Sequence, residues 1–371
     1  MNVCIQKIEI VPIKIKLNEP FVISKGALTH AKSTVIIIHS DNGLFGTGEC
    51  CPYRSIHGET QEGTIAVAKA IAPLLIGRNP LEVHALVEVM DRIITGNASI
   101  KCAFDMALHD LAAKCLDIPL YSYLGANINK VIETDMTISL LSAEEMVSKA
   151  LKFVDQGFKI LKVKLGKIPS ATDVERMVSI RKAVGEKIIL RIDANQGWNY
   201  LEAKYALEAM SELGVEHCEE PIPAWNRRDQ IRLVRESPIP IMADEAIFHH
   251  HDAFQILADQ AADMVNIKLG KSGGIANAMK IASIAEAADV HCQVGSFSET
   301  RVGITALVHF AHAWSNIIHY DLDSPLMLSE DPVLGGMKYS TDWKVTLEDT
   351  PGHGASFDPK FLQLFTTIAI Q

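Results

Sequence analysis

The sequence predicts an α/β fold in which a barrel of alternating strands and helices follows a smaller α+β region. Two observations predict it. From about residue 132, short apolar strands alternate with amphipathic helices, and the strand ends fall near Thr137, Lys164, Asp193, Glu219, Asp244, Lys268, Gly295 and Asp321. The intervals are 27, 29, 26, 25, 24, 27 and 26 residues. Each is the length of one strand, one helix and two short loops, so the parallel βα rhythm indicates a (β/α)8-type barrel. The second observation is composition. A chain of 371 residues, 48% hydrophobic and 22% charged, has ample core for a soluble globular protein and is neither disordered nor collagen-like.

The elements follow in order. Residues 3–17 alternate as a strand, and 33–40 and 44–50 flank Asp41-Asn42-Gly43, a hairpin signal. Gly43, Gly46 and Gly48 lie in the wrong order for a dinucleotide-binding loop, and a strand follows where that motif needs a helix. Helical spacing covers 60–75, 81–93 and 99–116. The barrel helices are expected at 142–156, 170–184, 200–213, 226–236, 250–259, 274–288 and 301–315. Residues 330–371 contain no further βα unit and are expected to pack back on the rest.

The net charge is −10, from 35 basic and 45 acidic residues, with no basic stripe. That argues against a nucleic-acid partner, and a polyanionic substrate would need a strong local positive site. No apolar run of 18 residues and no signal-like segment occurs, so no membrane span is expected and the location expected is cytoplasmic. The seven cysteines have no framework or zinc spacing and are expected to be reduced thiols.

The chemistry is expected at the strand ends, where barrels of this type carry their sites. Lys162 and Lys164 share one strand face, the third to fifth strands end at Asp193, Glu219 and Asp244, and the sixth ends at Lys268. Adjacent strands lie about 4.8 Å apart. Three carboxylates on one rim therefore make a hard-cation site best suited to Mg2+. Lysines flanking it from both sides can act as bases if the dication lowers their pKa.

These segments resemble the enolase superfamily, in its muconate-lactonising subgroup. The resemblance rests on Lys162-Val163-Lys164, Asp193-Ala194-Asn195, Glu219-Glu220-Pro221, Ala243-Asp244-Glu245 and Asn266-Ile267-Lys268. The helix Ala103–Lys114 and the segment Pro119–Gly125 match as well. The resemblance implies a (β/α)7β TIM-like barrel over 126–329. It also implies an α+β capping domain built from both chain ends, 1–125 with 330–371 packing back on it. One Mg2+ per subunit would be held by Asp193, Glu219 and Asp244. Lys164 and Lys268 would be the catalytic bases, and Lys162 would neutralise developing charge. A homo-oligomer is compatible with this family.

Asp321-Leu322-Asp323 puts two carboxylates on one strand face, a cradle for a cation. It resembles the motif that holds the α-ammonium in dipeptide epimerases, as do Gly295–Thr300 and Asp321–Leu328. The implied activity is epimerisation of the C-terminal residue of a dipeptide, a small-molecule substrate, by 1,1-proton transfer through an enediolate. Thr137 and Ser296 are substrate contacts by position. Members acting on Ala-Glu carry an arginine in the first capping loop, whereas Glu19–His30 here offers only Lys25, which lacks a bidentate grip. Phe297 and Ser298 replace a Met–aliphatic pair, which favours hydrophobic or aromatic dipeptides. The alternatives are L-Ala-D/L-Glu epimerisation, cycloisomerisation, o-succinylbenzoate synthesis and N-acyl amino acid racemisation. The last three act on substrates without a free ammonium. A barrel retired to a binding role would have lost part of this ligand set.

Three further features have other readings. His249-His250-His251 reads as a solvated run, since consecutive residues do not share a helix face. Gly270–Gly274 lacks the first glycine of a phosphate loop, leaving a helix-start anion site open. His57 is either part of a lid or an exposed loop residue.

Overall fold

The computed structural model describes residues 3–128 and 130–371. The chain opens with three antiparallel strands, β1 (Ile5–Ile23), β2 (Gly26–Ser40) and β3 (Phe45–Cys50). The predicted hairpin is present, with Gly43 at φ +84° and the Ser40 N–H donating to the Leu44 carbonyl at 3.0 Å. β1 runs past its expected end because it serves two cores. Ile8 and Ile10 pack with the helices of this region, while Val11, Ile13 and Ile15 join the cluster that continues into the barrel. The segment read as a capping loop is a hairpin tip, in which Phe21 pairs with Leu28 and Val22 with Ala27.

Three helices, Gln61–Leu75, Val83–Ile93 and Ala98–Cys115, pack on this sheet. The glycines of β3 explain the close approach of the third. A Cβ at Gly46 would lie 2.0 Å from the Ala107 carbonyl oxygen, and one at Gly48 would lie 1.9 Å from that of Ala103.

The barrel strands are Met136–Ile138, Ile160–Lys164, Ile189–Asp193, Val215–Glu219, Ile241–Ala243, Met264–Ile267, His291–Val294 and Ile317–Tyr320. All are parallel and lie side by side in chain order. Helices at 143–155, 171–184, 200–209, 227–236, 250–258, 275–287 and 301–313 fill the intervals, within a few residues of their expected positions. The seam between the last and first strands closes through Asp135 N–H to the Tyr320 carbonyl at 3.2 Å. Leu322 N–H to Thr134 Oγ1 at 3.0 Å and Thr137 N–H to Asp323 Oδ2 at 2.7 Å complete it. Side chains therefore do part of the work of a ladder there.

Two buried carboxylates dock the first region on the barrel. Asp105 accepts from the N–H groups of Ile275 and Ala276, at 2.5 and 3.3 Å. Glu49 accepts from the Thr300 N–H and hydroxyl and from the Gly303 N–H, at 2.7–3.3 Å. Each fills the anion-attracting start of a barrel helix. The helix-start anion site left open at Gly270–Gly274 is thus taken by Asp105. Asp110, a neighbour on the same helix, instead holds Thr47 N–H, His353 N–H and Lys114 at 2.7–2.9 Å.

The C-terminal stretch divides its contacts. Ile368–Ile370 adds a strand beside β1, whereas Arg301 of the barrel binds Asp331 and the carbonyl of Met337. Replacing Gly48 by alanine forces a backbone shift and is expected to cost about 1–3 kcal/mol. Thermal unfolding checks this as a fall of a few degrees in the midpoint. Gly63→Ala, whose nearest contact would be Thr60 Oγ1 at 3.5 Å, should not lower it.

Candidate active site

The barrel mouth is built from buried charge. Register aligns Lys164 with Asp193 and Asp193 with Glu219 across neighbouring strands, so their side chains share one layer. Lys162 Nζ lies 2.6 Å from Glu219, 2.8 Å from Asp321 and 3.5 Å from Asp193. Lys164 Nζ bonds Asp193 at 2.6 Å, and Lys268 Nζ bonds Asp244 at 2.8 Å. Asn266 and Gln293 donate to Glu219 at 2.8 and 3.3 Å. Asn195 donates to Glu245 at 3.1 Å, and its N–H donates to Asp193.

Above this floor lies a small, partly enclosed chamber. Phe21 and Ile23 of β1 and Tyr53 and Ile56 after β3 form its roof, facing Lys164, Lys268, Asp321 and Asp323. Thr137, Ser296, Phe297 and Met327 complete the wall. Lys164 Nζ sits 5.8 Å from the Phe21 ring centre, and Lys268 Nζ sits 4.8 Å from that of Phe297. Ser298 is buried outside the chamber lining, and Lys25 is exposed at the hairpin tip. His57 backs the wall, with its ring 4.3 Å from Phe297 and Nδ1 accepting from the Tyr53 N–H at 2.9 Å. Burial and then the Lys268 charge push its pKa down to about 3, so it is a neutral packing group.

Lys271, in the Gly270–Gly274 segment, also belongs to this site, on the same helical turn as Lys268. Its ammonium is buried on Asp244 Oδ1 at 2.9 Å and on the carbonyls of Asp244, Ile247 and Asn266 at 2.5–2.8 Å. The glycines beside it suggested a phosphate loop, but its charge is already spent inside the protein. The histidine run is half-buried at His249 and His250 and exposed at His251. His249 is the N-cap in extended conformation, outside the helix, so one nitrogen from each of His249, His250 and His251 falls within 4.8 Å of the others.

The electrostatics follow from crowding. Burial and the Asp193 charge push Glu219 up to about 7, against the pull of Lys162. Burial and Asp321 push Asp323 up to about 7, and burial with Asp244 pushes Glu245 up to about 8. Burial also disfavours the charged forms of Asp193 and Asp244, but their lysine partners outweigh it and hold both below the usual carboxylate range. Lys268 is raised, because Asp244 and Glu219 outweigh its own burial.

The donor set can be tested against a metal. Asp135, Asp193, Glu219, Glu220, Asp244, Glu245, Asp321 and Asp323 are all buried, against the buried cations Lys162, Lys164, Arg191, Lys268 and Lys271. Carboxylates outnumber cations, and Glu245 Oε2 and Asn195 Oδ1 are buried without partners. An all-oxygen set with surplus negative charge fits a hard dication. Among the described residues, Asp193, Glu219 and Asp244 do not come within 4.8 Å of one another as a trio, and each is paired with a lysine. Asp135, Asp321 and Asp323 do approach within 4.8 Å, but Arg191, Lys162 and the Thr137 N–H already engage them.

These shifts fix a pH dependence. Glu219, Asp323 and Glu245 titrate in the folded state near 7, 7 and 8, above their unfolded values. The folded protein therefore binds more protons than the unfolded chain below those values, and its stability falls as pH rises. Buried histidines with lowered pKa act in the opposite sense, but only below about 6.5. With divalent cations chelated, the unfolding midpoint is expected to fall between about pH 6.5 and 8, as a pH series of thermal melts would show.

Comparison with known proteins agrees with this geometry. Residues 5–125 match the mandelate racemase/muconate lactonizing enzyme N-terminal domain, and 145–361 match the enolase C-terminal domain-like family. The D-Ala-D/L-Ala epimerase of Cytophaga hutchinsonii is 41% identical over 99% of both chains. A dipeptide epimerase structure from that organism, complexed with Mg and D-Ala-L-Val, superposes with a TM-score of 0.98, covering 99% of this chain and 100% of that one. The L-Ala-D/L-Glu epimerase of Bacillus subtilis is 39% identical over 94% of this chain and 95% of its own. The hydrophobic dipeptide epimerase of Enterococcus faecalis is 37% identical over 95% and 99%. A dipeptide epimerase structure from Enterococcus faecalis, complexed with Mg and L-Leu-L-Tyr, gives a TM-score of 0.92, covering 95% of this chain and 99% of that one. The chain therefore belongs to the enolase superfamily, in its muconate-lactonising subgroup, as an isomerase whose close relatives are dipeptide epimerases.

Proposed function

We propose that the protein is a magnesium-dependent dipeptide epimerase that inverts the α-carbon of the C-terminal residue and prefers hydrophobic or aromatic dipeptides. The observation that carries this reading is the pair Lys164 and Lys268, each held on its own carboxylate on well-separated strands that line one chamber. An α-proton next to a carboxylate is weakly acidic, since its loss puts a second negative charge on that group. One lysine removes the proton and the other returns one to the opposite face, which inverts the centre. Lys162, which touches three carboxylates, adds positive charge beneath the enediolate.

Asp193, Glu219 and Asp244 would hold the Mg2+. Bound there, it supplies Lewis-acid stabilisation of the substrate carboxylate and draws negative charge away from the lysines. Asp321 and Asp323 would receive the α-ammonium, with the Thr137 N–H fixing Asp323. The apolar roof of Phe21, Ile23, Tyr53 and Ile56, the ring of Phe297 and the absence of an arginine among the described residues of the chamber lining support the hydrophobic preference. The exposed position of Lys25 argues against Ala-Glu, since no cation from the first hairpin reaches the chamber.

In deuterated water with Mg2+, the protein is expected to exchange the C-terminal α-hydrogen of L,L-dipeptides, and chelation should stop it. Lys164→Ala and Lys268→Ala should each lower epimerisation at least a thousandfold, and full turnover by either would exclude the two-base scheme. Asp321→Asn should lower kcat/KM far more for a dipeptide than for an N-acyl amino acid, as paired kinetics on both substrates would reveal. Equal loss would remove the ammonium role.

A further inference from the structure

Beside the chamber lies a second cavity of about 340 Å³, within the range of roughly 300–1,000 Å³ common to small-ligand sites. The two cavities share Phe21, Thr137 and Met327 as their common wall. The chamber itself offers only about 40 Å³, enough for little beyond a small side chain. The larger cavity has an aromatic floor. Phe158 stacks on Trp343 with centroids 4.0 Å apart, and Phe153 meets Phe158 edge-on at 6.0 Å. On its rim Glu19 is paired with Lys149, and the exposed Lys152 adds one ammonium at the solvent edge. Asn18 ties the rim to the segment after the eighth strand, donating to the Leu328 carbonyl at 3.0 Å.

We infer that this cavity is the subsite for the side chain of the dipeptide's N-terminal residue, and that it selects large apolar side chains, aromatic ones included. The inference rests on the epimerase reading and names what that reading leaves open. The α-ammonium is anchored at Asp321 and Asp323, and Asp323 is bonded to the backbone of Thr137, which is itself part of the common wall. A side chain on the carbon bearing that ammonium starts at the wall. The floor and polar rim of the chamber are occupied by charged groups, so an apolar group gains by moving between Phe21 and Met327 into the aromatic pocket. The C-terminal side chain, on the carbon between Lys164 and Lys268, stays under the roof near Tyr53 and Phe297.

The test is the ratio of kcat/KM for L-Phe-L-Ala to that for L-Ala-L-Ala. Ser139 lines the cavity, and Ser139→Phe fills it. Gln156→Trp narrows it from an exposed position where folding is not at risk. Both variants are expected to lower the ratio at least tenfold. A ratio within twofold of wild type in the folded variants would overturn the subsite. So would wild-type turnover of L-Ala-L-Ala with none of L-Phe-L-Ala. Wild-type protein that exchanges no dipeptide at all would instead bring down the epimerase reading beneath it.

Discussion

The constraint on which the rest depends is the burial of several carboxylates on one barrel rim. Isolated ionised groups in such a place would cost several kcal/mol each, so the fold must supply partners. It does so from the same strands. Lys162 bridges Glu219 and Asp321, Lys164 holds Asp193, and Lys268 and Lys271 share Asp244. The cations still fall short of the carboxylates, and Glu219 and Glu245 carry the strain as raised pKa values. A site with this imbalance is one that a dication relieves, and relief of that kind releases lysines for chemistry. Structural stability and catalytic readiness thus pull on the same groups.

A second consequence concerns the cover. A charged mouth works only if water is excluded, so the roof must be held firmly while its lining stays apolar. The anchoring is done at a distance from the chamber, by Asp105 and Glu49 on the starts of two barrel helices. Gly46 and Gly48 let the helix that carries Asp105 lie directly against β3, which carries Glu49 at its end. The two anchors and the close packing form one rigid unit. The roof residues Phe21, Tyr53 and Ile56 lie at its margins and need no charge of their own.

Much of this was legible in the sequence, for physical reasons. Strand ends recur at near-constant spacing because each βα unit must span the same distance, and polar residues at those ends cannot belong to the apolar ladder. Lys162, Lys164, Asp193, Glu219, Asp244 and Lys268 are therefore legible from the sequence itself. What was not readable depends on contacts between distant segments. Asp105 carries no local signal, because nothing in its own segment says that a helix start 170 residues away receives it. Lys271 was obscured by its glycine neighbours, and the seam at Asp135 and Tyr320 has no local pattern at all. The first hairpin was hidden because Glu19–Ser24 breaks the alternation that marks a strand, where β1 and β2 slip register.

The arrangement separates chemistry from selection. Every group that would handle protons or charge stands on a barrel strand or immediately beyond its end, is buried, and is fixed by at least one ion pair or hydrogen bond. The groups that would meet a substrate's side chains come from the first hairpin, the segment after β3, the loops after the seventh and eighth strands, the first barrel helix with the turn after it, and the C-terminal stretch. Changing Phe21, Tyr53 or Met327 alters shape and apolar surface but leaves the charge balance of the rim untouched. A substitution among the rim residues would disturb every neighbour that shares the same buried charge. Substrate range can therefore shift through the roof and loops at little cost to folding, while the reaction stays fixed by the strands.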